Sequence, residues 1–164
     1  MNIEELKVKA ENIVENIKDK GIYLKENTFI DYKLELKLNP NVGNVLIFLR
    51  NFAKDILAFA NKDGGLLLLG FNENKETGEI TDIGLKEDDI NILRAIDLKD
   101  LSDQFVKMFD AQIIVDIHAF NIATRKFYYI LIEKHNSILI PKNDFLDYGL
   151  KKGDIIYRSA GNNL

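Results

Sequence analysis

Ile3, Leu6, Ala10, Ile13, Val14 and Ile17 recur at three- and four-residue steps, so residues 3–19 are predicted to form an amphipathic helix that Gly21 closes. The period then drops to two. From 29 to 36, Ile30, Tyr32, Leu34 and Leu36 alternate with Asp31, Lys33 and Glu35, which predicts a half-buried strand with a solvated face. Pro40 and Gly43 break that pattern, and Asn44 is placed to cap a helix over 45–60. Residues 66–71 have no polar alternation, as expected of a central strand covered on both faces. A second strand is predicted over 79–85 after the turn ENKETG, and one or two helices over 87–109. The segments 113–120 and 126–133 read as a hairpin across NIATR, and a short strand is expected over 154–159.

Helices and hairpin-like neighbours are thus intermixed, without the regular alternation of a doubly wound nucleotide fold. The expected class is α+β (mixed α/β): a single domain with a mixed, largely antiparallel sheet and flanking helices. Its expected organisation is an N-terminal helix over 1–21 followed by one compact unit over 22–164.

Composition narrows the functions. The 164 residues are 46% apolar and 29% charged, the balance of an ordinary globular protein. A formal charge of −4 gives no global basic field, which disfavours an electrostatic nucleic-acid coat but not a local site. There are no cysteines, which removes disulfides, thiolate zinc sites and cysteine nucleophiles together. The acidic start MNIEELKVKAENIVENIKDKG has no apolar signal-peptide core, and no apolar run approaches the ~20 residues of a membrane span. A cytoplasmic protein without membrane contact is expected. The abundance of Lys, Ile and Asn reads as genome bias, in keeping with a prokaryotic source.

The stretch ILAFANKDGGLLLLG invites a phosphate-cradle reading of Gly64-Gly65, but no GxxxxGK[ST] is present and no GxGxxG opens a helix. The glycines follow a helix and precede a strand, the reverse of a P-loop. Gly64 is expected to supply a positive φ, and Gly65 to let the strand start tightly. Asp31 and Lys33 lie about 6–7 Å apart on one strand face. A carboxylate that binds a hard cation beside a lysine that stabilises phosphate charge suits phosphodiester cleavage. Glu26 precedes the strand and is able to fold back, and Glu73 ends the neighbouring strand. The plainer alternative is a solvated D-x-K-x-E face with weak surface ion pairs. His118 and His135 are far apart and give zinc little support. Arg158 is a candidate for a phosphate contact or a base stack, or equally a structural arginine. Lys142, Lys151 and Lys152 add a modest basic patch, offset by Asp144, Asp147 and Asp154, so any nucleic-acid binding should be salt-sensitive but modest.

Several blocks resemble one family when taken in order: Glu26-(4)-Asp31-Tyr32-Lys33, AFANKDGG over 58–65, Leu69-Gly70-Phe71, Ile80-(3)-Gly84 and Tyr157-Arg158-Ser159-Ala160-Gly161. They are similar to the Schlafen AlbA-like domain over residues 22–164. Asp31 stands where that pattern has Glu, and Asn72-Glu73 stands where nuclease members place an acidic pair. The resemblance implies a mixed α/β domain that acts on nucleic acid, RNA before DNA. As in the eukaryotic members, it implies a metal-dependent endonuclease with Mg2+ or Mn2+ held by Glu26, Asp31 and Glu73. Glu26, Asp31 and Lys33 are the implied catalytic residues, and Arg158, Lys142, Lys151 and Lys152 the candidate nucleic-acid contacts. Two alternatives stay open: a noncatalytic DNA-binding or regulatory module, and an interaction subunit of a larger complex. A homodimer or a partner protein is compatible with either.

Overall fold

The computed structural model describes residues 2–159 together with the backbone at 162–163. Ala160 and Gly161, the last two residues of the terminal motif, lie outside the described residues. The chain runs α1 (Ile3–Lys20), β1 (Ile30–Lys33), α2 (Asn44–Ala60), β2 (Gly65–Leu69), β3 (Phe71–Glu73), β4 (Ile80–Asp82), α3 (Glu87–Arg94), α4 (Leu98–Phe109), β5 (Val115–Ile122), β6 (Arg125–Ile132), β7 (Arg158–Ser159) and β8 (Asn162–Asn163).

Four strands form the main sheet in the order β1-β2-β6-β5. β1 runs parallel to β2, and the other pairs are antiparallel. The domain is α+β with a mixed sheet. β3 and β4 make a separate small hairpin, with Glu73 opposite Ile80.

Period-two alternation divides the apolar side chains between the two faces of the main sheet. Leu66 and Leu68 of β2 join Ile30, Tyr32 and the buried side of α1, whereas Leu67 and Leu69 pack with α2 and α4. β2 is fully buried, as its unbroken leucines predict. α1 is capped by the Asn2 side chain and ended by left-handed Gly21, and it buries Leu6, Ala10, Ile13, Val14 and Ile17.

Three local expectations need correction. The strand predicted over 29–36 lasts only from Ile30 to Lys33, and its polar face is not solvated: Asp31 is 4% exposed. Asp31 and Lys33 pair in register with Leu67 and Leu69, and so point towards α2, whose Asp55 lies against Lys33. Beyond the strand the chain changes course, and Leu36 joins the α2-side core rather than that of Ile30 and Tyr32. Gly43, not Asn44, stands at the N-cap of α2, with no side-chain cap. The β5–β6 hairpin is longer than NIATR suggests, pairing out to Ile122 and Arg125.

The double glycine is architectural. Gly64 has φ +78, and a Cβ there would lie 2.7 Å from the Ile132 carbonyl oxygen. A Cβ on Gly65 would lie 2.1 Å from the Phe59 ring. The pair lets the end of α2 pass directly into the central strand against Phe59.

Candidate functional site: a charge-compensated carboxylate cluster

Glu26 is brought back over β1 by a turn at Asn27. The Asn27 side-chain oxygen accepts from the backbone N–H groups of Phe29 (2.7 Å) and Ile30 (2.9 Å). Glu73 arrives at the end of β3, and the two carboxylates meet around one cation. Lys75 Nζ lies 2.7 Å from Glu73 Oε1 and 3.4 Å from Glu26 Oε2. Both glutamate side chains are only 12% exposed, whereas Lys75 is 78% exposed.

A second ionic group lies between β1 and α2. Asp31 Oδ2 is 3.4 Å from both Lys33 Nζ and Arg158 Nη1, and Lys33 Nζ is 3.5 Å from Asp55 Oδ2. Asp31 Oδ1 accepts from the Tyr32 N–H at 2.8 Å. Arg158 also donates through Nη2 to the carbonyls of Asn27 (2.8 Å) and Ile30 (3.3 Å), and its guanidinium sits 4.7 Å from the Phe59 ring centroid. At 1% exposure it fastens the C-terminal strand to the turn that positions Glu26. Of the two readings of Arg158, a phosphate or base contact and a structural arginine, this burial and these bonds favour the structural one.

The two groups are electrostatically linked. Burial first, and then hydrogen bonds to Glu73 and Asp31, push the Glu26 carboxyl up to about 8, so it is mostly protonated at neutral pH. Burial opposes ionisation of Glu73 as well, but the Glu26 hydrogen bond and the Lys75 charge outweigh it and hold Glu73 below the usual range. Burial would depress the Lys33 ammonium, yet the Asp55 and Asp31 charges win and hold its pKa above the ordinary value. A proton and three basic side chains thus compensate four acids crowded into a small volume.

The structure brings together Glu26, Asp31, Lys33 and Glu73, with Asp31 compensated by Lys33 and Arg158. Among the described residues no three carboxylate or imidazole groups are arranged to hold a metal ion. Glu26 and Glu73 nevertheless suit a hard cation: both are carboxylates, and an ammonium already sits between them. Magnesium is commonly bound by one or two carboxylates completed by substrate phosphates. Lys142, Lys151 and Lys152 lie elsewhere along the chain. Lys142 pairs with Asp110 at 2.6 Å, and the backbone N–H groups of Lys151 and Lys152 donate to Asp154 and Asp144.

Sequence reasoning missed Asp55 and Lys75. Asp55 carried a signal, as an acid within the apolar run NFAKDILAFA of α2. Lys75 carried none, because it lies in a polar turn where a lysine is unremarked.

The fold and this cluster define an α+β domain with a charge-compensated acidic centre. Residues 26–164 match the family described as Schlafen, AlbA_2, and the chain belongs to that family. Among solved structures it is similar to the DIP2311 protein of Corynebacterium diphtheriae (TM-score 0.55, 20% identity), covering 98% of this chain and 30% of that one. That likeness shows the fold alone. The N-terminal domain of a RecG-related protein from Nitrosomonas europaea is similar at TM-score 0.49 and 19% identity, with 88% of each chain covered. No curated protein matches the chain. No helix among the described residues is long and apolar enough to cross a membrane.

Proposed function

We propose that this domain acts on nucleic acid, and that Glu26 and Glu73 form the seat of a divalent cation, magnesium or manganese, at which a phosphodiester bond is hydrolysed. Family membership supports the nucleic-acid-related role, and the resemblance to Schlafen nucleases supports RNA before DNA. The observation that carries the reading is the convergence of two shielded carboxylates, one from the turn before β1 and one from the end of β3, on one exposed ammonium. When bound, the cation would neutralise phosphate charge and acidify the attacking water. Glu26 and Glu73 would hold it, the Glu26 carboxyl binding as the carboxylate with its proton released to solvent. Asp31 acts as a positioning residue: it fixes Lys33 and Arg158, and through Arg158 the turn that carries Glu26. Lys33, half exposed beside the cluster, faces the incoming phosphate.

The test is cleavage of an RNA hairpin and a matched single-stranded DNA with Mg2+, Mn2+ or EDTA, using the natural chain, Glu26→Gln and Glu73→Gln. The expected result is cation-dependent cleavage, stronger on RNA, that either substitution lowers by at least about a hundredfold, the loss typical of a removed electrostatic contribution. A second reading, noncatalytic binding, is favoured by the compensation of Asp31 by Lys33 and Arg158. Retarded but intact substrate in every cation would establish it and overturn the first.

A further inference from the structure

The turn after β3 is wired to present one side chain. Asn74 Oδ1 accepts from the N–H groups of Glu76 (2.9 Å) and Thr77 (3.2 Å), and Asn74 O accepts from Gly78 N at 2.7 Å. Asn74 N also donates to Glu79 O at 2.8 Å, closing the turn across the β3–β4 hairpin. The side-chain bonds make an Asx-type turn, which fixes a backbone without needing a core around it. Lys75 is the residue inside this turn whose ammonium reaches back to Glu73 and Glu26.

Lys75 differs from the other two cations of the cluster in one decisive respect. Arg158 is 1% exposed and Lys33 35% exposed, whereas Lys75 is 78% exposed while its two acceptors are shielded. An ion pair with one member in bulk solvent is individually weak, because water competes for the ammonium and a long side chain must be ordered to make it. A divalent cation carries twice the charge and loses no side-chain entropy on arrival. The two glutamates therefore hold an exchangeable counter-ion, and no main-chain movement is required to release it.

We propose that Lys75 is the resident counter-ion of the Glu26–Glu73 pair, displaced from it when a divalent cation binds, and set free at the rim of the site to meet a phosphate. The inference rests on the reading of Glu26 and Glu73 as a cation seat. It adds that this chain guards the seat with its own side chain, one ammonium shared by both carboxyl groups. Lys75 thereby sets the cation affinity of the site, and with it the cation concentration at which the site fills.

The test is calorimetric titration of Mn2+ into the natural chain, Lys75→Met, Lys75→Arg and Glu73→Gln, at fixed pH and ionic strength without nucleic acid. Lys75→Met removes the competitor while keeping the length of the stem, and should bind Mn2+ about fivefold more tightly, the factor an exposed ion pair of about 1 kcal/mol represents. Lys75→Arg, which keeps the charge, should bind close to the natural chain, and Glu73→Gln should lose most of the affinity. Because Lys75 is exposed, neither of its substitutions should shift the melting temperature enough to confuse the result. Binding to the natural chain that Lys75→Met leaves unchanged or weakens overturns the guarding role and leaves the cation seat standing. No Mn2+ binding by either the natural chain or Lys75→Met overturns the seat itself, and the guarding role with it.

Discussion

Asp31 and Glu26 are both acids in the same cluster, and each makes a distinct prediction. Asp31 lies between Arg158 and Lys33. Truncating it leaves a buried guanidinium without its carboxylate, so Asp31→Ala should cost about 3–5 kcal/mol in urea unfolding. Loss of activity in Asp31→Ala is therefore no evidence for a metal ligand unless folding is measured alongside. The Glu26 carboxyl is raised from 4.5 to about 8 by burial and by its acidic neighbours. The folded chain holds a proton that the unfolded chain releases, so this contribution to stability is complete below about pH 4.5 and is lost as pH rises to about 8. Melting temperature should fall across that window, and Glu26→Gln should flatten the fall; an unchanged slope would place the proton elsewhere. Mn2+ uptake should release a proton at neutral pH, detected as a dependence of the titration heat on buffer ionisation.

At the scale of elements, the junction between α2 and β2 is the tightest constraint. Gly65→Ala forces a Cβ to within 2.1 Å of the Phe59 ring and 2.7 Å of the Phe29 carbonyl oxygen. The cost should be about 1–3 kcal/mol, or more if the Phe59 ring cannot move, read from a denaturation midpoint. Stability equal to the natural chain's would mean that this junction is looser than described. The elements themselves were largely legible in the sequence: the helix period of α1, the unbroken leucines of β2 and the turn residues around Gly64 all acted locally. The face of β1 was not. Alternation in IDYK reports that two faces differ in polarity, and not whether the polar one meets water or a helix. Asp55 on α2 and Arg158 near the C-terminus, both distant along the chain, turn the Asp31–Lys33 face into an ion-paired one. The role of Arg158 stayed open in the sequence for the same reason, since its partners Asp31, Asn27 and Ile30 are all more than a hundred positions away.

For the whole molecule, α1 supplies part of one of the two cores on either side of the sheet, although the family match begins only at residue 26. Leu6, Ile13, Val14 and Ile17 cover one face of the sheet, and burying each is worth roughly 1.5–3 kcal/mol. Their sum is comparable with the whole stability of a typical domain, about 5–15 kcal/mol. A chain beginning at residue 22 should therefore lose cooperative thermal unfolding, followed by circular dichroism; a sharp transition near that of the full chain would show that α1 is an appendage. Three of the cluster's four acids, Glu26, Asp31 and Glu73, were named from the sequence through the family resemblance. That Glu26 and Glu73 share the Lys75 ammonium while Asp31 lies between Lys33 and Arg158 needed the fold, because β1, β3 and the C-terminal strand meet only there.

The central claim is the location of the cation. Its most direct test is a Mn2+ titration of the isotopically labelled chain followed by amide NMR, with paramagnetic broadening read residue by residue. Broadening should begin at Glu26, Glu73 and Lys75, spread to Asn27 and Asn74, and disappear in Glu73→Gln. Broadening centred on other acids, such as Glu11 and Glu15 of α1, or spread evenly over the acidic surface, would contradict it.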